Sequence, residues 1–445
     1  MTLTREELKN ISVEELEKIK FEMMFEKERM LRLLNQAYEK NINVALLKKL
    51  MQPEYQMQLY NALLNEEYKI FPPHKAKIPK DNGDYRTVYV NEDIDRIYLS
   101  LYNDMMFELH SCFISTFCKS YQKGISCPNT VKEVSRKLCY YKGYKADMTH
   151  YFDSTPLEQI NKLFDKLRMV TRVDLPVREY YNSNLVFDEN DNLIEEYAGM
   201  KQGCAFSTFL ANALLYEIDE MLGNMDGLLY VRYSDDILFV GKDYEKAKLI
   251  LENELNRLGL ELNPNKTDEI SNEEWFDFLG FKIKGSQITF STKSINELSK
   301  FILKNTIKYK HKTKQGKIIH INSKQKAINK INAHLYKNFT INNKRAFGWG
   351  EYFLTTVNVI SDINILDTWI KDCIRACETK KIKVGGIGSI NNNPNYTVDR
   401  PQKSRDVSGN LEKTDKEIEG YRSMIDMWKT INSDKNMYRL KARMM

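Results

Sequence analysis

Leu228-Leu229-Tyr230-Val231-Arg232-Tyr233-Ser234-Asp235-Asp236-Ile237-Leu238-Phe239-Val240 is the stretch on which the fold turns. Apolar and aromatic residues flank a short polar tip, which reads as two strands around Tyr233-Ser234-Asp235-Asp236. An Asp pair inside an apolar hairpin is costly. Adjacent carboxylates in a half-buried strand repel each other and lose hydration. Divalent cations would remove that cost. An isolated Asp-Asp is ordinarily a surface turn, so the neighbours must decide.

Upstream, Tyr144-Lys145-Ala146-Asp147-Met148 predicts a short strand ending on an acid. Residues 205–222 predict a helix. Downstream, residues 243–259 predict a helix stopped by Gly259, and residues 276–290 return to strands. The order β-α-β-β-α-β is that of a split βαβ, ferredoxin-like sheet. Lys77 to Val90 predicts a hairpin through Asn82-Gly83, with Lys77, Lys80 and Arg86 near its tip. Asp93 to Leu109 then predicts a helix. Residues 180–197 predict a second hairpin, turning at Asp188–Asn192. Residues 1–70 and 293–380 read as helical, residues 386–412 as a polar linker, and residues 413–445 as one or two terminal helices.

With 445 residues, 42% hydrophobic and 29% charged, the composition is that of a soluble globular chain. No run approaches the roughly 18 apolar residues of a bilayer span, and the N-terminus lacks the apolar core of a signal peptide. The seven cysteines include no C-x-x-C pair, which argues against a zinc ribbon or a disulfide framework and favours the cytoplasm. Net charge is +6, but its distribution says more. Residues 298–350 hold thirteen Lys or Arg and no acid, interleaved with Tyr309, Tyr336, Phe339 and Trp349. That is the expected footprint of phosphate-backbone binding.

Tyr233-Ser234-Asp235-Asp236 resembles the Tyr-x-Asp-Asp box of reverse transcriptases, and Asp147 to Asp153 resembles their first acidic motif. Gly199-Met200-Lys201-Gln202-Gly203 through Ser207 to Asn212 resembles their Gln-Gly…Ser…Leu-x-Asn motif. Thr208 stands where group II intron enzymes carry proline after the serine. Leu260 to Thr267 resembles the next motif, and Phe278-Leu279-Gly280-Phe281 the primer grip. Ile78-Pro79-Lys80 with Arg86 resembles the strand pair that grips the triphosphate. Ser120-Tyr121-Gln122-Lys123-Gly124 resembles the Phe-Arg-Pro-Gly segment, with Gln122 and Lys123 departing from it. These motifs follow the family's order from about residue 75 to 285. Phe347 to Phe353 and Leu366 to Ile370 resemble the thumb less closely.

The resemblance implies an α+β right-hand polymerase. Its parts would be a helical N-terminal extension (1–70), fingers (71–140), palm (141–290), a basic helical thumb (291–385), and a linker with a C-terminal tail (386–445). It implies that Asp147, Asp235 and Asp236 bind two Mg²⁺ ions, with Mn²⁺ as an alternative, and that Lys266 protonates pyrophosphate. Lys80, Arg86, Phe152, Gln202, Gly203 and Tyr233 would contact the nucleotide, Phe152 beneath the sugar. Leu279 and Gly280 would hold the primer. Neither a Cys/His cluster of HNH type nor an RNase H-like set of acids is read after the thumb. The chain thus looks like the free-standing bacterial "unknown group" and abortive-infection enzymes of antiphage defence. Expected partners are dNTPs, a DNA product and a dedicated noncoding RNA template, with an oligomer or an accessory defence protein besides, and no membrane. Alternatives in view are untemplated or protein-primed synthesis at the same site, a non-catalytic RNA-binding splicing factor, and an RNA-dependent RNA polymerase. Phe152 and the Tyr233 box argue against the last.

Overall fold

The computed structural model describes residues 2–80, 83–122, 124–306, 311–312, 318–319, 324–336, 348–379 and 418–432. They fall into two compact units, Met1–Gln122 with Gly143–Glu269, and Lys123–Lys142 with Ile270–Met445.

The first unit opens with helices α1 (Arg5–Asn10), α2 (Val13–Met24), α3 (Lys27–Asn35), α4 (Val44–Leu50) and α5 (Pro53–Leu64). Thr4 and Glu7 close a capping box on α1, satisfying backbone donors at its start. Then come β1 (His74–Pro79), β2 (Tyr85–Val90) and α6 (Asp93–Leu109). Helix α7 (Cys127–Leu138) belongs to the second unit. The chain returns with β3 (Gly143–Asp147), α8 (Tyr151–Ser154), α9 (Leu157–Lys166), α10 (Leu175–Asn182), β4 (Leu185–Phe187) and β5 (Leu193–Glu195). Helices α11 (Ser207–Leu214) and α12 (Tyr216–Gly223), strands β6 (Leu228–Tyr233) and β7 (Asp236–Gly241), helix α13 (Tyr244–Leu258) and β8 (Asp268–Ile270) complete it. The single helix expected over 205–222 is broken at Leu215, which ends one helix and precedes the next. Gly259, at φ 71°, stops α13 as predicted.

The central sheet runs β6-β7-β3-β8. Strand β7 is antiparallel to both β6 and β3, so it splits the β3–β6 pair. This is a ferredoxin-like order in an α+β architecture, as expected, but its fourth strand is β8 (Asp268–Ile270) and not the strands over 276–290 that the sequence predicts there, which form a separate sheet. A single apolar core runs from Leu3 to Leu260, so the N-terminal helices share it with the sheet. Buried charges knit the same region. Lys20 of α2 meets Asp174 at 2.6 Å, both side chains fully buried. Asp174 also accepts from Tyr102 and Thr171. Arg168 donates to Leu8 O and Ile11 O. Residues 1–70 are therefore built into the first unit.

In the second unit, β9 (Phe276–Phe278), β10 (Phe281–Lys284) and β11 (Gln287–Phe290) form a sheet in the order β11-β10-β9. Helix α14 (Thr292–Asn305), the short pair β12 (His311–Lys312) and β13 (Ile318–Ile319), and helices α15 (Lys324–Tyr336), α16 (Trp349–Leu354), α17 (Ile360–Thr379) and α18 (Met424–Ile431) follow. Asp367 of α17 accepts from Tyr421 Oη, Ser423 Oγ and the Met424 amide, which fastens α18 to the bundle. The basic stretch is only partly visible: Tyr309, Phe339, Phe347 and most lysines between Lys308 and Lys317 lie outside the described residues, as do residues 380–417 and 433–445. Two of its aromatics are structural. Tyr336 is fully buried, and Trp349 stacks on Phe290 at 5.5 Å. Lys326 and Lys330 are exposed on α15, whereas Tyr336 points into the core.

Candidate active site

The β6–β7 ladder pairs Tyr233 with Asp236, leaving Ser234 and Asp235 as a two-residue turn. Ser234 takes φ 60°, a left-handed angle that tight hairpins demand. Strand β3 ends opposite the same point, with Asp147 paired to Asp236. Directly opposed residues share one face of a sheet, with Cα atoms about 4.5–5.5 Å apart. Asp147, Asp236 and Tyr233 therefore lie together on one face, and Asp235 projects from the adjoining turn. Its carbonyl accepts from the Met148 amide at 3.3 Å, which ties the two motifs.

The hairpin tip is held from behind. Arg232 is fully buried and pairs with Asp219 at 2.6 Å. Its guanidinium also donates to Ala211 O, Asn212 O and Ser234 O. Ser120 Oγ accepts the Ser234 amide at 3.0 Å and donates to Asn212 Oδ1 at 3.0 Å. Asn212 returns a bond to Ser120 O. Thus Ser120, Asn212 and the hairpin, read separately in the sequence, form one network. Arg232 and Asp219 were missed. The available signal was a lone arginine inside an apolar strand, which demands a buried partner.

Lys266 closes a short 3₁₀ turn, and its ammonium lies 3.0 and 3.1 Å from the two carboxylate oxygens of Asp147. The turn is anchored where the Asn263 amide donates to Asp147 O at 2.7 Å. Burial first, and then the Asp147 charge, hold the Asp235 carboxyl above its usual range, opposed by Lys266 and Arg86. Burial, with the charges of Asp235 and Asp147, pushes Asp236 up to about 6. Among the described residues no three such side chains are already gathered around an ion position. Lys266 serves as the counter-ion of Asp147 instead. The donor set still suits Mg²⁺, which takes one or two carboxylates plus substrate phosphates rather than an all-protein cage.

Around the acids, Phe152 sits half-buried on α8, and its carbonyl accepts the Met200 amide at 2.7 Å. Gln202 O accepts the Tyr89 amide at 2.7 Å, joining this motif to β2. Gly203 takes φ 106°, and a Cβ there would stand 3.0 Å from Tyr89 O. The glycine thus lets the backbone of this motif pack closely against β2. The β1–β2 hairpin forms as predicted, with Lys80 and Arg86 both exposed. The charge of Arg86 reaches Asp153 and Asp235. Leu279 and Gly280 lie in the second unit. At φ 50° and 83° they make the tight turn between β9 and β10, as the resemblance implies.

Residues 78–283 match the family of reverse transcriptases (RNA-dependent DNA polymerases). This stretch, a little under half of the chain, is similar to the reverse transcriptase family, whose activity is RNA-dependent DNA polymerisation. An uncharacterized 91 kDa protein in the cob intron of Schizosaccharomyces pombe is 20% identical over 172 residues, or 38% of this chain and 21% of that protein. Telomerase from Candida albicans, solved with a TWJ fragment of telomeric RNA, is 15% identical with a TM-score of 0.37. The match covers 57% of this chain and 56% of that one. Apo telomerase from Candida tropicalis is 13% identical with a TM-score of 0.39, over 60% and 57% of the two chains. The chain thus spans about a fifth of the curated relative and just over half of these solved chains. Among its described residues no helix is long and apolar enough to cross a membrane.

Proposed function

We propose that this chain copies RNA into DNA by nucleotidyl transfer at Asp147, Asp235 and Asp236. The observation that carries the reading is the strand register that sets Asp147 against Asp236 beside the Asp235 turn. The three carboxylates would hold two Mg²⁺ ions, with Mn²⁺ as an alternative. When bound, such ions stabilise the attacking and leaving oxygens of an in-line phosphoryl displacement. Lys80 and Arg86 neutralise the triphosphate from the exposed hairpin. Phe152 lies under the sugar, where its bulk excludes a 2′-hydroxyl. Gln202 and Gly203 meet the base pair being formed, beside Tyr233. Lys266 leaves Asp147 and donates its proton to pyrophosphate as general acid. Leu279 and Gly280 hold the primer end, and the basic residues after 298 bind the duplex backbone.

The reading extends to antiphage defence on a dedicated noncoding RNA. Its support is the likeness of the motifs to free-standing bacterial enzymes, and Thr208 in place of the proline of intron enzymes. The test is to purify the protein with its bound nucleic acid and sequence the RNA and DNA, beside an Asp235→Asn/Asp236→Asn control. DNA complementary to one co-purified small RNA, absent from the control, is expected. DNA without a matching RNA, or covalently joined to protein, contradicts templated copying. RNA without DNA in either sample contradicts synthesis and favours a splicing factor.

A further inference from the structure

The turn that carries Gln202 is held in an unusual way. Gly199, Lys201 and Gly203 take φ of 48°, 47° and 106°. Glycine adopts such angles freely, whereas a lysine there is strained and must be fixed by its surroundings. Lys201 is only 2% exposed. Its ammonium donates to Ser183 O at 3.0 Å, and Ser183 is the C-cap of α10. It also lies 5.0 and 5.5 Å from the ring centroids of Tyr180 and Tyr181. Among the described residues no carboxylate is paired with it. Asp95 of α6 acts on Tyr180 rather than on the lysine.

A buried ammonium without a carboxylate is costly to desolvate. Packing alone is met as well by an apolar chain of similar length, such as Met. What the charge adds is direction. It is drawn to the carbonyl end of a helix and to two aromatic faces. The backbone of the same residue is equally engaged. The Lys201 amide donates to Ala198 O at 2.8 Å, and its carbonyl accepts from the Cys204 amide and Ser207 Oγ, each at 3.1 Å. The next residue, Gln202, is bonded to β2.

We infer that Lys201 is a positioning residue for nucleotide selection: its buried ammonium ties the Gly199–Gly203 turn to the C-terminus of α10 and so fixes Gln202 toward the incoming nucleotide. This rests on the role proposed for Gln202. The titratable groups facing the ammonium are Tyr180 and Tyr181 from α10 and Cys204 from its own turn. Burial keeps all three protonated well above neutral pH. Burial also pushes Lys201 itself down to about 8. The tie is therefore present below that pH and lost above it.

The experiment compares wild type, Lys201→Met and Lys201→Arg in RNA-templated primer extension, recording KM for dNTP, kcat and melting temperature between pH 7 and 9.5. Lys201→Met is expected to melt no lower than wild type while its KM rises about tenfold or more, as small misplacements of binding groups produce. Its kcat changes less, and Lys201→Arg recovers part of the KM. Wild-type KM is expected to rise as pH passes about 8, and Lys201→Met to lack that rise. A folded Lys201→Met with wild-type KM overturns the inference. If that variant does not fold, a flat wild-type KM from pH 7 to 9.5 overturns it alone. Wild type with no templated synthesis contradicts the proposed function itself, which is a separate outcome.

Discussion

Asp236→Asn should stabilise the metal-free protein while inactivating it. Asp236 is only partly exposed, and burial with the charges of Asp235 and Asp147 raises its carboxyl from 3.8 to about 6. A group whose folded-state pKa is raised binds more protons folded than unfolded between those values. Stability therefore falls as pH rises from about 4 to about 6, and the loss is complete above that window. Two pKa units correspond to about 3 kcal/mol at about 1.4 kcal/mol each. Asparagine keeps the shape without the charge. The variant should therefore match wild type near pH 4 and exceed it by up to about 3 kcal/mol at pH 8, or roughly 6–12 °C in melting temperature for a unit of this size. The assay is thermal unfolding in EDTA across pH 4–8, repeated with Mg²⁺, which should narrow the gap by stabilising wild type alone. Equal or lower stability of Asp236→Asn at pH 8 in EDTA would refute the claim that these carboxylates are crowded against each other.

Lys266→Met frees Asp147 of its ion pair. Isothermal titration should show tighter Mn²⁺ binding to the nucleotide-free protein, while primer extension slows about 10²-fold or more through loss of the general acid; weaker or unchanged Mn²⁺ binding contradicts the counter-ion role. Arg232→Met leaves Asp219 buried without its partner, so chemical denaturation should register a loss of about 3–5 kcal/mol, most of it recovered in Arg232→Met/Asp219→Leu. Phe152→Ala should admit ribonucleotides, read as a fall in the ratio of dNTP to NTP incorporation, with no fall counting against its place under the sugar. Gly203→Ala forces a Cβ to 3.0 Å from Tyr89 O at φ 106°, and should cost about 1–3 kcal/mol of stability.

What the sequence made legible were features carried by local chemistry. The Asp235-Asp236 hairpin, the Asp93–Leu109 helix and the Gly259 stop each follow from periodicity or turn chemistry within a few residues, whereas the Leu279-Gly280 turn was implied by the family resemblance. The candidate acids Asp235 and Asp236 stood out because adjacent carboxylates in an apolar strand demand an explanation. Contacts between distant polar residues were not legible. Nothing local marks Lys20 or Arg168, yet one is buried on Asp174 and the other binds carbonyls of α1 and its C-cap. Tyr336 read as a ligand-facing aromatic, because exposure has no local signature, and it lies in the core. Lys201 was passed over between the more telling Gly199 and Gln202.

The central claim is tested most directly by primer extension with purified protein, a defined RNA template, a DNA primer and dNTPs, alongside Asp235→Asn. Wild type should yield DNA whose sequence follows the template, and Asp235→Asn should bind the same RNA with similar affinity but extend nothing. Polymerisation retained by Asp235→Asn, or wild-type product independent of template sequence, would contradict the account.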